Sequence, residues 1–231
     1  MRLDKFICYS TELDRAQARA NIWASAVSVN GEICQDEAKQ VHENNHITLL
    51  GQVLTPRAPR YIMLHKPAST LCSHADGAYP SLFRGLTLNK AEDLHLVGRL
   101  DADTTGLVLL TDDGRWSYHI THPNSGCNKV YRVTLRDPLS TGTAQLFNQG
   151  IRLQGEAKLT LPAQLESVTA TEVLLTIVEG RFHQVKRMFA AVGNKVVALH
   201  RDQIGGIQLD VPVGEWRHLT AQEVMSTSGQ P

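Results

Sequence analysis

The sequence predicts an α+β protein, with a small α/β domain followed by a larger domain built on a mixed, mostly antiparallel sheet. Helical periodicity is confined to short segments such as Leu3, Phe6 and Ile7. Strand-like segments between turn residues are more numerous, and few long helices are predicted. A length of 231 residues with 42% hydrophobic content allows one sizeable core and a small appended domain.

Residues 1–57 are the first predicted domain. Asp14 begins a second helix, with Gln17 three residues later for a capping box. Asn30-Gly31 between two alternating apolar segments predicts a hairpin, and a further strand follows at 46–50. The buried stripe of the second helix is predicted to be Ala16, Ala20 and Trp23.

Residues 58–231 are the second predicted domain, with a core over 60–230. The two prolines of 54–59 favour an extended linker before it. Residues 226–231 are predicted to be disordered. Strands are predicted at 61–64, at 106–112, through the alternation of Tyr131, Val133 and Leu135, and at 173–178. An amphipathic helix is predicted through Val185, Met188, Phe189 and Val192, ended by Gly193.

The charge and cysteine content limit the class of protein. The 23 basic residues balance the 23 acidic ones, so any affinity for nucleic acid must come from local patches. The four cysteines form no CxxC pair, and the N-terminus has no apolar signal segment. No apolar run approaches the roughly 20 residues of a membrane span. These observations predict a cytoplasmic protein without a membrane partner.

The segment 97–107, Val-Gly-Arg-Leu-Asp-Ala-Asp-Thr-Thr-Gly-Leu, places two carboxylates before a buried strand. By itself it is compatible with a polar turn in which Asp101 or Asp103 bonds to nearby amides. A calcium loop fits the spacing of Asp101, Asp103 and Asp112, but the last position calls for a glutamate. The apolar residues 107–110 also suit a core strand better than an open loop.

A second segment concentrates positive charge. Between Gly180 and Arg201 there are five basic residues and no acidic one, which predicts a local positive field suited to RNA phosphate. The alternative is a solvated basic helix face. The five basic residues are Arg181, Lys186, Arg187, Lys195 and Arg201.

Metal and cofactor motifs are incomplete. His119 and His122 lie near Cys127, and His42 and His46 lie one helical turn apart, but neither set completes a recognised ligand spacing. No glycine-rich phosphate loop occurs. The sequence therefore predicts a protein with no metal and no small-molecule cofactor, although a metal-dependent hydrolase using Asp101, Asp103 and nearby histidines stays open.

Three segments taken together resemble the pseudouridine synthases of the RsuA branch. They are 98–107, Lys129-Val-Tyr-Arg-Val, and Gly180-Arg-Phe-His-Gln-Val-Lys-Arg-Met188. The first domain resembles an S4 RNA-binding domain, through 3–6 and Val29-Asn-Gly31. Within the branch, 183–186 is more similar to the small-subunit rRNA enzyme than to its large-subunit relatives. The segment 65–69 departs from the family, which usually has Asn before Lys-Pro.

The resemblance implies a central RNA-binding cleft and a cofactor-independent isomerisation with assigned residues. Asp101 is the essential carboxylate, Lys186 its basic partner, and Tyr131 stacks on the uracil. Arg99 occupies the space left by the flipped base, and Leu199 packs against that base. The remaining predicted RNA contacts are Arg181 and Arg187 in the catalytic domain and Arg15 and Arg19 in the S4-like domain.

The implied activity is formation of pseudouridine 516 in 16S rRNA, within an assembling small ribosomal subunit and by a monomer. A 23S rRNA synthase of the same branch remains an alternative. So does a noncatalytic RNA-binding factor for ribosome assembly, although Asp101, Tyr131 and Lys186 together favour an enzyme.

Overall fold

The computed structural model describes residues 1–42 and 44–227. The chain divides into two compact units, residues 1–58 and residues 59–231.

The first unit packs two helices on a small antiparallel sheet. Asp14 caps α2, and Asp14 and Gln17 form the predicted capping box. Asn30 and Gly31 both have positive φ, as a tight turn between β1 and β2 requires. Among residues 1–42 and 44–58 the strands pair in the order β2-β1-β3-β4. The elements are α1 Leu3–Ser10, α2 Arg15–Trp23, β1 Val27–Val29, β2 Glu32–Ile33, β3 Ile47–Leu49 and β4 Gln52–Val53.

The predicted stripe of α2 is wrong. Ala18 and Ile22 are the buried residues of this helix, whereas Trp23 is 58% exposed. The Trp23 indole donates a 2.7 Å hydrogen bond to Glu37, so its polar edge is satisfied at the surface. Ala16 and Ala20 lie on the exposed side with it. The buried face of the helix is therefore rotated from the predicted one.

Asp4 is the electrostatic centre of the first unit. It is fully buried, and Arg2, Arg15 and Arg19 approach its carboxylate at 3.0, 3.1 and 3.4 Å. The Lys5 amide donates to it at 2.8 Å. Burial acts to raise the pKa of Asp4, but the hydrogen bonds from Arg2 and Arg15 outweigh it and lower the pKa to about 2.

The second unit is built on one mixed sheet. Within residues 59–227 nine strands join it, and β13-β5-β7-β11-β8-β10-β9 is its main path. Its strand pairs are antiparallel except β7 with β11. The strands are β5 Tyr61–Lys66, β6 His95–Val97, β7 Thr105–Thr111, β8 Lys129–Leu135, β9 Gln164–Ser167, β10 Glu172–Ile177, β11 Val196–Ile204, β12 Ile207–Gln208 and β13 Trp216–His218.

The helices of the second unit are short. Val185, Met188 and Phe189 are buried on one face of the predicted amphipathic helix, and Gly193 follows its C-cap with positive φ. The helices are α3 Gly114–Thr121, α4 Thr143–Gln149, α5 Gln184–Ala191 and α6 Ala221–Thr227. Disorder was predicted for 226–231. It is wrong for Ser226 and Thr227, which end α6, and residues 228–231 lie outside the described residues.

Gly106 allows the parallel pair of β7 and β11 to form. Its φ is +108°, and it lies opposite Arg201 in the register. A Cβ at this position would collide with the backbone carbonyl and amide of Arg201. The contact therefore requires glycine, and it joins the strand after the Asp101 loop to the strand that carries Leu199 and Arg201.

We expect Asp4→Asn to destabilise the first unit in a pH-dependent way. Because the folded-state pKa of Asp4 lies below its unfolded value, its stabilisation is present above about pH 4 and is lost as the pH falls through about 2. The loss at pH 6 should be about 2 kcal/mol or more. Urea unfolding followed by NMR at residues 1–58 measures it. The exposed Glu32→Gln should unfold like wild type at every pH, and a pH-independent loss in Asp4→Asn would contradict the assignment.

Gly106→Ala should destabilise the second unit by about 2–5 kcal/mol, because strained backbone and overpacking add at this position. The matched control is Gly114→Ala, at a residue with an ordinary φ and open space around its Cβ position. It should change the free energy of unfolding by less than about 1 kcal/mol. Denaturant unfolding of both variants provides the comparison, and equal stability of the two would disprove the close approach of β7 and β11.

Candidate active site

A cavity of about 150 Å³ opens in the second unit. Its walls come from the loop before β7, from β8, from the start of α5 and from β11. It therefore brings together side chains that are far apart in the sequence. The predicted site residues that line it are Arg99, Asp101, Tyr131, Arg181, Lys186 and Leu199.

Lys186 links the two acidic residues of the loop to α5. Its ammonium lies 2.8 Å from Asp101 Oδ2 and 2.7 Å from Asp103 Oδ1. Burial acts to lower the pKa of Lys186, but these two hydrogen bonds outweigh it and raise the pKa. Lys186 lowers the pKa of Asp103 in turn. Asp101, 28% exposed, lines the cavity, whereas Asp103, 73% exposed, does not. Asp101 is therefore the carboxylate presented to the cavity.

Lys66 fixes the loop that carries Asp101. Its side chain is fully buried, and its ammonium donates to the carbonyl oxygens of Pro67, Ala102 and Thr104 at 2.8–3.1 Å. Burial lowers the pKa of Lys66. Its charge is thus balanced by backbone dipoles in place of an ion pair. The ammonium holds the backbone on both sides of Asp103.

His183 approaches Asp101 from the other side. Its Nε2 lies 3.3 Å from Asp101 Oδ1. The residue precedes α5 in the left-handed conformation, with φ +48°, which is uncommon for a residue other than glycine. Its ring stacks on that of Phe182, with centroids 3.8 Å apart. Asp101 thus has one neighbour for each oxygen, Lys186 and His183, and its orientation is fixed.

Tyr131 and Leu199 form the apolar wall of the cavity. Both are buried, and they lie on the neighbouring strands β8 and β11. The Tyr131 hydroxyl accepts a 3.3 Å hydrogen bond from Arg201. A flat aromatic ring and an aliphatic side chain beside one carboxylate suit a planar, uncharged ligand next to a sugar.

Arg99 is exposed at the cavity rim. It has no ion-pair partner in the part of the chain that the structure describes. The side chain is available to a ligand.

The predicted free positive field of the 180–201 segment is wrong for Arg181 and Arg187. Glu156 accepts from both guanidinium groups at 2.6 Å, and Glu179 accepts from Arg181 at 3.0 Å. Lys186 is paired as well. Glu156 comes from another part of the chain, which the local sequence could not reveal, whereas Glu179 directly precedes the segment. The two arginines tie the start of α5 to the segment around Glu156.

Sequence reasoning missed Lys66, His183 and Arg201 as site residues. Lys66 ends an apolar strand, where a lysine needs buried acceptors. Arg201 follows Leu199 by two residues on β11, and the period of a strand places both on one face. His183 was singled out from the sequence only as a marker of the subgroup.

The described residues contain no metal-ligand cluster, no membrane-spanning helix and no disulfide bond. No group of three or more His, Cys, Asp or Glu side chains within 1–42 and 44–227 is placed to hold a metal ion. Over the same ranges, no helix has the length and apolarity needed to cross a bilayer. The four cysteines, all within the described residues, form no disulfide bond; they are Cys8, Cys34, Cys72 and Cys127.

Comparison with known proteins identifies the family. Residues 60–191, which include Asp101, Tyr131 and Lys186, match the RNA pseudouridylate synthase family. The chain is 49% identical over 228 residues to the ribosomal small subunit pseudouridine synthase A of Vibrio cholerae, covering 98% of this chain and 99% of the relative. It is 49% identical over 229 residues to the protein of that name from Escherichia coli strain K12, with the same coverage.

A solved structure described as a pseudouridylate synthase superposes with a TM-score of 0.72 at 46% identity, over 98% of this chain and 99% of that one. Sequence, fold and cavity therefore agree, and the chain belongs to the RNA pseudouridylate synthase family, in the branch of the ribosomal small subunit pseudouridine synthases A.

Proposed function

We propose that this chain converts one uridine of the small-subunit rRNA to pseudouridine, at position 516 of 16S rRNA, with Asp101 as the essential carboxylate. The observation that carries the proposal is the position of Asp101, which lines the cavity with Tyr131 while Lys186 and His183 hold its two oxygens. The names of the similar proteins support the choice of small-subunit rRNA.

The reaction breaks the N1–C1′ glycosidic bond, turns the uracil and joins C5 to C1′. The proton on C5 is lost and N1 gains one, so the product is an isomer and no redox partner is needed. Asp101 either attacks C1′ or removes the 2′ proton to give a glycal. Both routes need a carboxylate at the sugar, and the Lys186 ammonium lies 2.8 Å from Asp101 Oδ2 to hold it there.

The target uridine must leave its helix to reach the cavity, at a cost of about a few kcal/mol. Tyr131 stacks on the uracil, and its hydroxyl assists removal of the C5 proton. Leu199, the other member of the apolar wall, packs against the uracil. Arg99, exposed and without an ion-pair partner among the described residues, enters the space that the uridine leaves.

The first unit serves as an S4-like RNA-binding domain. Arg15 and Arg19 both reach Asp4, and the Arg15 side chain remains 61% exposed. Three arginines around one aspartate leave local positive charge, which is offset in part by Glu37 at 3.7 Å from Arg19. Asp4 orders these side chains, so that their outward N–H groups bind phosphate.

Arg181 and Arg187, already paired within the chain, hold α5 in place and leave the RNA contacts to the exposed residues. The protein works as a monomer in the cytoplasm, on an assembling small subunit, where the target is still accessible.

Asp101→Asn should abolish release of tritium from RNA labelled at uridine C5, with a loss of at least about 10³-fold, because the carboxylate is replaced by an uncharged group. Asp103→Asn removes the other acid bound by Lys186 at a position away from the cavity, and it should lose less than about tenfold. Wild-type activity should persist in EDTA. Activity retained in Asp101→Asn would contradict the proposal, and loss of wild-type activity in EDTA would support the metal-dependent alternative.

Deletion of the gene should remove one pseudouridine, at position 516, from the small-subunit rRNA. Chemical mapping of rRNA from deletion and complemented cells checks this, with Asp101→Asn as the complementation control. A pseudouridine missing from 23S rRNA instead would show that the substrate is large-subunit rRNA and that the proposed small-subunit substrate is wrong. An unchanged map together with an assembly defect would favour the noncatalytic alternative.

A further inference from the structure

The most unusual buried group of the second unit is the guanidinium of Arg201. Its residue is 2% exposed. Nε donates to the Leu107 carbonyl at 2.8 Å and one terminal nitrogen donates to the Tyr131 hydroxyl at 3.3 Å. The other terminal nitrogen is buried and has no hydrogen-bond partner among residues 1–42 and 44–227. A buried donor of a charged group left unpaired is costly, so an occupant is expected there.

The backbone fixes where this guanidinium lies. Arg201 belongs to β11, between β7 and β8, and its register partners are Gly106 and Tyr131. The close approach of Gly106 leaves the Arg201 backbone no room to shift. The side chain lines the cavity beside Tyr131.

Arg201 is also unneutralised. The ion pairs of the described residues include none to Arg201 and none to Lys129, a second buried cation that lines the cavity. The Lys129 ammonium contacts only carbonyl oxygens, those of Ile120, Cys127 and Val178, at 3.0–3.5 Å. Two buried cations without a carboxylate make the inner wall of the cavity complementary to negative charge.

The reaction itself supplies such a charge. When the C1′–N1 bond breaks, its electron pair goes to the base, and the uracil becomes an anion shared between N1 and its carbonyl oxygens. Tyr131 and Leu199 form an apolar wall for the base beside Arg201, whereas a phosphate would need more donors than this wall offers. The base is therefore the better occupant.

We propose that Arg201 is a catalytic residue, whose unpartnered N–H binds a uracil carbonyl oxygen and stabilises the uracilate leaving group. The inference rests on the proposed function. The electron pair of the broken bond moves to the uracil and returns through C5 when C5 joins C1′, and no proton leaves Arg201. Because the charge is larger in the transition state than in bound uridine, the hydrogen bond acts on the rate more than on RNA affinity.

The test compares two leaving groups under single-turnover conditions, with the full chain in excess over an rRNA fragment that carries either uridine or 5-fluorouridine at the target. Fluorine at C5 withdraws electron density from the ring and stabilises the uracil anion. Formation of the anion therefore depends less on a neighbouring cation. The rearranged nucleoside is measured by chromatography with mass detection after nuclease digestion, since 5-fluorouridine has no C5 proton to release.

With uridine, Arg201→Gln should lower the rate about 10²–10³-fold, as expected for one donor to a developing anion, with RNA affinity changed less than about threefold. The loss with 5-fluorouridine should be at least about tenfold smaller. Arg201→Lys, which keeps the positive charge, should lower the rate less than Arg201→Gln does. Its loss should again be larger with uridine than with 5-fluorouridine. Arg115→Gln, at an exposed arginine of α3 that does not line the cavity, should match wild type.

Equal losses with both substrates would overturn the proposal and leave Arg201 a structural role. A loss confined to RNA affinity would also overturn it, in favour of phosphate binding. If Arg201→Gln does not fold, Arg201→Lys replaces it in the test. Its rate loss with uridine is then compared with its rate loss with 5-fluorouridine, and equal losses would again overturn the proposal. A wild-type chain that converts neither substrate would instead disprove the proposed function.

Discussion

The ion pair between Asp101 and Lys186 is the interaction on which the site depends. It joins a loop before β7 to the first turn of α5, 85 residues later in the chain. Both side chains are partly exposed, so the pair adds little to the free energy of folding. Its effect is on geometry, because an ammonium 2.8 Å away directs the carboxylate. Lys186 donates a second hydrogen bond to Asp103, and His183 lies beside the far oxygen of Asp101, so Asp101 has a single orientation toward the cavity.

That orientation requires a rigid loop, and two buried contacts supply it. Lys66 binds three carbonyl oxygens around the Asp101 turn and leaves the loop backbone few alternatives. Gly106 allows the backbone of β7 to lie close against β11. The start of β7 therefore pairs with the strand that carries Leu199 and Arg201. Asp101 directly precedes the first of the two loop carbonyls that Lys66 binds, and Asp103 lies between them. A loop held by core contacts in this way loses little entropy when a ligand binds.

Local patterns predicted the fold better than the site. The Asn30-Gly31 turn, the Asp14 cap and the alternation around Tyr131 depend on neighbouring residues, and the structure has all three. The field predicted around Arg181 failed because Glu156, 25 residues away, neutralises it, and long-range pairing leaves no trace in a short window. Asp101, Tyr131 and Lys186 were assigned by resemblance alone. The buried environment of Arg201 follows from sheet register, which the sequence does not encode locally.

The distribution of charge in the cavity has a chemical consequence. Asp101 is partly exposed, where we propose that the sugar of a flipped nucleotide enters, whereas Arg201 and Lys129 are almost wholly buried beside the wall that would hold the base. Breaking a glycosidic bond leaves positive charge on the sugar and negative charge on the base. A carboxylate near one fragment and cations near the other stabilise that separation in both parts. Under the proposed function the same arrangement would hold the base in the cavity after cleavage, since a uracil anion is attracted to the inner wall while it turns to present C5. A cavity whose charges were all of one sign would stabilise one fragment at the expense of the other.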